Sequence, residues 1–286
     1  MASPEFQLFS SLRYDPLLTS LPINTESWDG ETNPGSPFYM LLYHRDRMLQ
    51  AAEHFGWTKA ADTIRGPEGF AHLLSKLTEA FDTNSPTPLR IKTLLNYEGV
   101  ITFESNPTPA ASEWNLFPKR IPPPKGEGEK KMEVSPLTGG VLSVGEGDSV
   151  YGDPPRTEAW DVLPDTILTP PSPYTSFKTT SRDMYNGARE RVGIKEMTDK
   201  KEVLIVSERD GEIMEGSFTT VFFWREGRWV TPGVECGGQI GTTRRWALEK
   251  GLCVEGVVRK GELVDGEECW FSNGVRGFQW GRVKLG

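Results

Sequence analysis

Thirteen of the chain's 22 prolines fall between Pro107 and Pro173, and this crowding constrains the fold more than any other feature. Proline has no N–H to donate and a fixed φ, so such a stretch disfavours long helices and continuous strands. The glycine-bearing pieces GEGEKK and GVLSVGEGD lie inside it. The stretch predicts long loops and a domain junction between two regular parts of the 286-residue sequence. The expected division is an N-terminal domain over 1–166, with a proline-rich insertion near 105–160, and a C-terminal domain over 167–286. Short apolar pieces inside it, such as Thr166-Ile167-Leu168, could still form strands.

In the N-terminal part, Leu8 to Tyr14 reads as a strand ending in an Asp-Pro turn. FYMLLYHRDRMLQAAEHFGW carries apolar residues at helical spacing, and in GFAHLLSKLTEAF the residues Phe70, Leu73, Leu74, Leu77 and Phe81 make one stripe. LRIKTLLNYEGVITFE reads as a hairpin turning at Tyr97-Glu98-Gly99. In the C-terminal part, SRDMYNGARERVG suits a helix capped by Ser181 and ended by Gly193. Glu202 to Ser207 reads as a strand, and GSFTTVFFWREGRWVTP as a hairpin turning at Glu226-Gly227. GTTRRWALEKG suits a helix, and ECWFSNGVRG a strand entering a loop. Helices mixed with antiparallel hairpins give an α+β architecture in two lobes.

Composition narrows the function. A net charge of −8 without a long basic block gives no support for nucleic-acid binding. No apolar run approaches the ~18 residues that span a bilayer, and MASPEFQLFSSLRYD lacks a secretory pattern. Cys236, Cys253 and Cys269 form no CxxC pair, and His44, His54 and His72 share no ligand spacing with them. A cytoplasmic protein in a reducing compartment, without a metal site, is expected.

Five places could carry chemistry. Lys178, before a helix and behind the proline-rich loop, would be a carbonyl-attacking amine if desolvated, although a solvated lysine would read the same. Glu215 stands beside Gly216 at the mouth of the apolar strand VFFW. A buried carboxylate there needs a partner such as a pyridinium nitrogen, whereas a strand-edge position leaves it in solvent. Gly241-Thr242-Thr243 opens a helix with free N–H groups and two hydroxyls, which serves either a phosphate or an ordinary cap. His44 and Arg47 project from one helix face as a binding pair or a surface charge cluster. Arg13, on a strand expected to be buried, needs an anion, either a substrate carboxylate or an internal acid.

The order and spacing of these residues resemble the class IV aminotransferase family. The series is an Arg-bearing first strand, H-x-x-R, K-T-T with R-x-x-Y, E-x-x-x-x-T, T-P, G-T-T-R and a late S-N. The resemblance implies a two-domain type IV fold, with an N-terminal α/β sandwich and a C-terminal mixed α/β pseudobarrel. It also implies pyridoxal 5′-phosphate as cofactor, and a homodimer. Lys178 matches the lysine that joins the cofactor as a Schiff base, and Glu215 the glutamate on its ring nitrogen. Arg47, Thr242 and Thr243 match the phosphate-binding residues, and Ser272 and Asn273 match the closing loop.

Within the family, LFSSLRYDP and EGSFTTVFFWREGRWVTP resemble the branch of aminodeoxychorismate lyases. Thr220 stands where that branch has asparagine, and one residue before Thr-Pro is missing. The branch implies conversion of 4-amino-4-deoxychorismate to 4-aminobenzoate and pyruvate. Lys178 would act as base, and Lys178, Thr179 or Thr180 would return the proton. Arg13 is expected on a substrate carboxylate and Thr220 at the substrate side. The alternatives are an aminotransferase for branched-chain amino acids, D-amino acids or (R)-amines, and a cofactor-binding protein that has lost catalysis.

Overall fold

The computed structural model describes residues 4–28, 35–124, 132–134, 141–143, 153–156 and 158–286. Its N-terminal lobe starts with β1 (Leu8–Tyr14), whose apolar Leu8, Leu12 and Tyr14 alternate onto one face. Three helices cover that face: α1 (Leu41–His54), α2 (Thr58–Ile64) and α3 (Gly66–Ala80). The expected stripe of α3 is present, with Leu73 and Leu77 fully buried against β1 and its neighbour. Truncating a leucine in such a core to alanine costs about 2–5 kcal/mol. Then β2 (Leu89–Leu95) and β3 (Ile101–Pro107) add to β1 as an antiparallel sheet in the order β1-β2-β3. Gly99 makes their turn with φ 86°.

Within the proline-rich stretch, α4 (Glu113–Leu116) and the small hairpin of β4 (Met132–Val134) and β5 (Val141–Ser143) are described. The long loops expected at 125–131, 135–140 and 144–152 lie outside the described residues. The expected boundary at 166/167 is corrected. A single strand, β6 (Trp160–Thr169), runs across it and bonds to both of its neighbours in the larger sheet.

The C-terminal lobe is built on that larger sheet. After β6 come α5 (Pro173–Ser176), α6 (Asp183–Arg191), β7 (Lys201–Ser207), β8 (Ile213–Gly216), β9 (Thr220–Arg225) and β10 (Arg228–Pro232). Then follow α7 (Thr242–Glu249), β11 (Val254–Gly256), β12 (Glu268–Asn273) and β13 (Gly277–Val283). The eight strands are ordered β11-β10-β9-β12-β13-β6-β7-β8, with β6 parallel to both β7 and β13. The β9–β10 turn falls at Glu226 and Gly227, both with positive φ, the geometry a two-residue hairpin requires.

One expectation is corrected here. The helix after Lys178 starts at Asp183, and Ser181 does not cap it: the Ser181 carbonyl accepts the Thr179 hydroxyl instead. The strand ECWFSN enters a turn as expected, and the turn leads back into β13. Two glycines hide the alternation of that strand. At Gly281 a Cβ would lie 2.6 Å from the Trp160 carbonyl oxygen, so a side chain there would push β13 off β6.

The lobes meet through an aromatic cluster that includes Tyr39, Phe117, Phe222, Trp246, Trp270 and Phe278. Polar bonds reinforce it between α1 and α7: Asp46 pairs with Arg245 at 2.7 Å, and the Tyr43 hydroxyl donates to Glu249. These contacts fix α1 beside the start of α7. Among the described residues no helix is long and apolar enough to cross a membrane.

Candidate active site

Lys178 follows the single turn of α5 and is tied to the other lobe through its backbone. The Phe9 N–H donates to the Lys178 carbonyl at 3.0 Å, and the Thr180 N–H to the Gln7 carbonyl at 2.9 Å. The lysine segment therefore extends the β1 edge by one bridge, Leu8 to Thr179. Its side chain is half-buried, with Nζ 5.2 Å from the centre of the Phe9 ring. Burial, then the guanidinium groups of Arg182 and Arg47, hold the amine well below the usual lysine range, and Glu215 opposes them. An amine in that state is free to react.

Glu215 ends β8 opposite Ile205 of β7 and is buried. The Tyr185 hydroxyl from α6 donates to its carboxylate, and Gln239 lies 3.5 Å from the same hydroxyl. Burial raises the Glu215 carboxyl to about 7, against the pull of Tyr185, Arg182 and Lys178. A carboxylate so placed is incompletely balanced, and a cationic ring nitrogen would balance it.

The turn beyond Glu215 is held by a second buried acid, Glu202 of β7. Its carboxylate accepts the Ser217 N–H at 2.9 Å, the Ser217 hydroxyl at 2.8 Å and the Thr219 hydroxyl at 2.7 Å. Gly216 is required there, because a Cβ would sit 2.4 Å from Thr219 Oγ1.

The start of α7 lies beside this turn. Gly241 caps the helix through its backbone, and a Cβ on it would lie 2.5 Å from Thr220 Oγ1. The first-turn N–H groups of a helix have no partner within it. The Ser272 hydroxyl from β12 donates to Thr243 Oγ1 at 2.8 Å, and Ser272 is the cross-strand partner of Thr220. Thr242 Oγ1 is buried and unpartnered among the described residues. Asn273 organises the turn that follows, its Oδ1 accepting the N–H groups of Val275 and Arg276 at 3.0 and 2.9 Å.

Arg47 is presented by α1, and its Nη2 donates to the Ser10 hydroxyl, which lies 2.6 Å from His44 Nδ1. Arg47 Nε and His44 Nε2 are buried without partners among the described residues. Burial lowers Arg47 to about 10 even though Glu215 raises it, which marks a guanidinium short of an anion. His44 packs under Gly274, where a Cβ would approach its ring to 2.5 Å, so α1 also reaches the β12–β13 turn.

The structure brings Lys178, Glu215 and Arg47 within electrostatic reach of one another, Glu215 and Thr220 to one small pocket, and Thr220, Thr243 and Ser272 together at the start of α7, with Thr242 and Asn273 adjacent in sequence. Arg13 is the exception, and its expected contact with a substrate carboxylate is corrected. It is 1% exposed, paired to Asp15 at 2.6 Å, and donates to the carbonyls of Val275 and Pro109. The anion it needed is the acid two residues away. Tyr185 and Arg182 were visible only as the R-x-x-Y pattern, and Glu202 was read as an ordinary strand residue. Nothing local in the sequence marks a carboxylate four of whose five hydrogen bonds come from a turn about fifteen residues later.

A three-stranded lobe covered by helices, an eight-stranded mixed sheet and a strapped lysine between them make up the fold of the type IV aminotransferases. The branched-chain amino acid aminotransferase of Escherichia coli superposes with a TM-score of 0.55 at 15% identity, covering 97% of this chain and 78% of that one. A branched-chain aminotransferase of Thermoproteus uzoniensis gives 0.56 at 16%, covering 97% and 78%. Residues 149–280 match the model of the amino-transferase class IV family. It is also similar to the aminodeoxychorismate lyase of Saccharomyces cerevisiae, 35% identical over 139 residues. That match covers 44% of this chain and 37% of the yeast protein, so it spans well under half of the curated relative.

Proposed function

We propose that the protein is a pyridoxal-phosphate-dependent lyase that converts 4-amino-4-deoxychorismate to 4-aminobenzoate and pyruvate. The observation that carries the reading is the convergence of a lysine amine beside Arg182 and Arg47, a buried glutamate acting on it, and buried, unpartnered donors on Arg47 and Thr242. The likeness to the yeast lyase supports the choice of reaction within the family.

The residues present fit the cofactor. Thr242 Oγ1 and Arg47 Nε are buried donors lacking acceptors, and they stand with Thr243 and the first turn of α7 where a phosphate would be held. Glu215 would pair with the ring nitrogen, with Tyr185 and Gln239 keeping it in place. When bound, pyridoxal phosphate supplies an electron sink for the charge left at the amine-bearing carbon.

Lys178 is the group that takes the proton from that carbon, because burial and the nearby Arg182 and Arg47 lower its pKa and favour the free amine. The Thr179 hydroxyl is committed to the Ser181 carbonyl at 3.3 Å, and the exposed Thr180 accepts the Gln7 N–H at 2.9 Å. Return of the proton to the departing enolpyruvyl group is assigned to Lys178, the conjugate acid it has just become. Ser272 and Thr220 close the phosphate side, and the aromatic cluster between the lobes excludes water from below.

The test has two stages. Borohydride reduction of the purified protein with pyridoxal phosphate should fix the cofactor on a peptide containing Lys178, read by mass. Supplied with 4-amino-4-deoxychorismate and no keto acid, the enzyme should then release 4-aminobenzoate and pyruvate in equal amounts. Turnover that requires a keto acceptor would instead mark a transaminase and overturn the lyase reading.

A further inference from the structure

The face of the small sheet opposite α1 carries Phe9, Ser11 and Arg13 of β1 beside Leu94, Lys92 and Arg90 of β2. Cations crowd the Phe9 ring: Lys178 Nζ at 5.2 Å, Lys92 Nζ at 5.4 Å and the Arg182 guanidinium carbon at 5.8 Å. Two of the cations on this face have their own acids. Lys92 pairs with Glu104 at 3.0 Å, and Arg13 with Asp15.

Arg90 and Arg182 are different. Among the described residues neither makes an ion pair, and Glu104 and Glu215 act on Arg90 and Arg182 only at longer range. Arg90 reaches Ser11 Oγ at a long 3.5 Å, and it is half-buried. Arg182 donates Nη2 to the Ser217 carbonyl at 2.9 Å and lies 3.8 Å over the Tyr185 ring, while its Nη1 is buried without a partner. Arg182 and Lys178 share the Phe9 ring, and Arg90 stands on the same sheet face beside Ser11, so the two guanidinium groups approach the reactive amine one from each lobe. Withdrawing a guanidinium from water without an anion is unfavourable, and a bound carboxylate removes that penalty through charge-assisted bonds.

We propose that Arg90 and Arg182 form a carboxylate-binding subsite beside Lys178, which restricts the enzyme to amines that also carry carboxylate groups. The subsite takes the role that the first strand's Arg13 cannot fill. It deepens the proposed lyase reading and rests on Lys178 as the reactive amine. The overall charge of −8 makes this a local feature rather than a general attraction for anions.

Chorismate is the probe, because it carries two carboxylates and has no amine to react. Calorimetric titration into cofactor-loaded and cofactor-free protein should show saturable binding. Arg90→Leu and Arg182→Leu should each weaken it at least about tenfold, and Arg90→Lys should restore part of the loss. Arg90→Gln gives a second reading if the leucine variant does not fold. Cofactor absorbance and the borohydride adduct on Lys178 should stay unchanged in the Arg90 variants. Equal chorismate affinity in the wild type and both leucine variants would overturn the subsite, as would a wild type that binds no chorismate. A chain that never takes up the cofactor overturns the lyase reading instead, while the cofactor-free titration still decides the subsite.

Discussion

Glu202 and Glu215 are buried carboxylates on adjacent strands of the same sheet, yet their surroundings differ in kind. Glu202 accepts five hydrogen bonds, from the N–H groups of Val203, Ser217 and Phe218 and the hydroxyls of Ser217 and Thr219. Glu215 has one side-chain donor, Tyr185, and faces Lys178, Arg182 and Arg47 across the cleft. The same contrast separates Arg13, closed on Asp15 and two carbonyls, from Arg90 and Arg182, which make no ion pair among the described residues. A buried polar group with every partner supplied is scaffold, and one left short is aimed at a ligand.

The sharpest break in that comparison would come from Lys178→Ala. Activity should fall by at least about a thousandfold, the scale of losing a positioned general base. Thermal melting should change little, since the lysine side chain makes no hydrogen bond among the described residues. A variant that unfolds would make Lys178 scaffold.

Glu202→Ala should act in the opposite sense, on the fold. It leaves two hydroxyls and the Ser217 and Phe218 N–H groups short of an acceptor, a loss of about 4 kcal/mol in urea denaturation. Cofactor affinity in the surviving folded fraction should fall only as far as the Glu215 turn loosens. A loss under 1 kcal/mol would remove Glu202 from the scaffold.

Glu215→Gln should stabilise the cofactor-free protein, and only at higher pH. The Glu215 carboxyl is raised from 4.5 to about 7, so the folded state keeps a proton that the unfolded chain has released. Wild-type stability therefore falls as pH rises through that window, by up to about 3 kcal/mol. The variant lacks the titration, so it should match wild type near pH 4 and exceed it near pH 8. A variant equally stable relative to wild type at both pH values would show that Glu215 is already balanced without a ligand.

Thr242→Val should give the smallest effect. Its hydroxyl has no partner to lose, so melting of the cofactor-free protein should hold, while affinity for pyridoxal phosphate should drop about fivefold, one neutral hydrogen bond's worth. Unchanged cofactor affinity would place the phosphate elsewhere.

Much of the fold was legible because period and punctuation agree along the chain. The α3 stripe, the Glu226-Gly227 turn and Gly193 after α6 all stand where local chemistry puts them. Where local rules failed, a distant contact had decided. Ser181 looks like a cap, but the Lys178 strap on β1 fixes its backbone first. Gly281 in β13 answers to Trp160, more than a hundred residues earlier, which no local rule shows.

The sequence by itself determined the parts: the lysine, the glutamate, the Gly-Thr-Thr helix start and the H-x-x-R helix, in a family-like order. It also determined that a proline-rich stretch would separate two regular lobes. Only the tertiary structure decided which charged groups are complete. Arg13 and Arg90 are cross-strand neighbours in β1 and β2. Arg13 has Asp15 two residues on, and the fold buries that pair and adds two carbonyl acceptors, whereas Arg90 makes no ion pair among the described residues and only a long contact to Ser11. How completely a buried charge is satisfied depends on what packs around it.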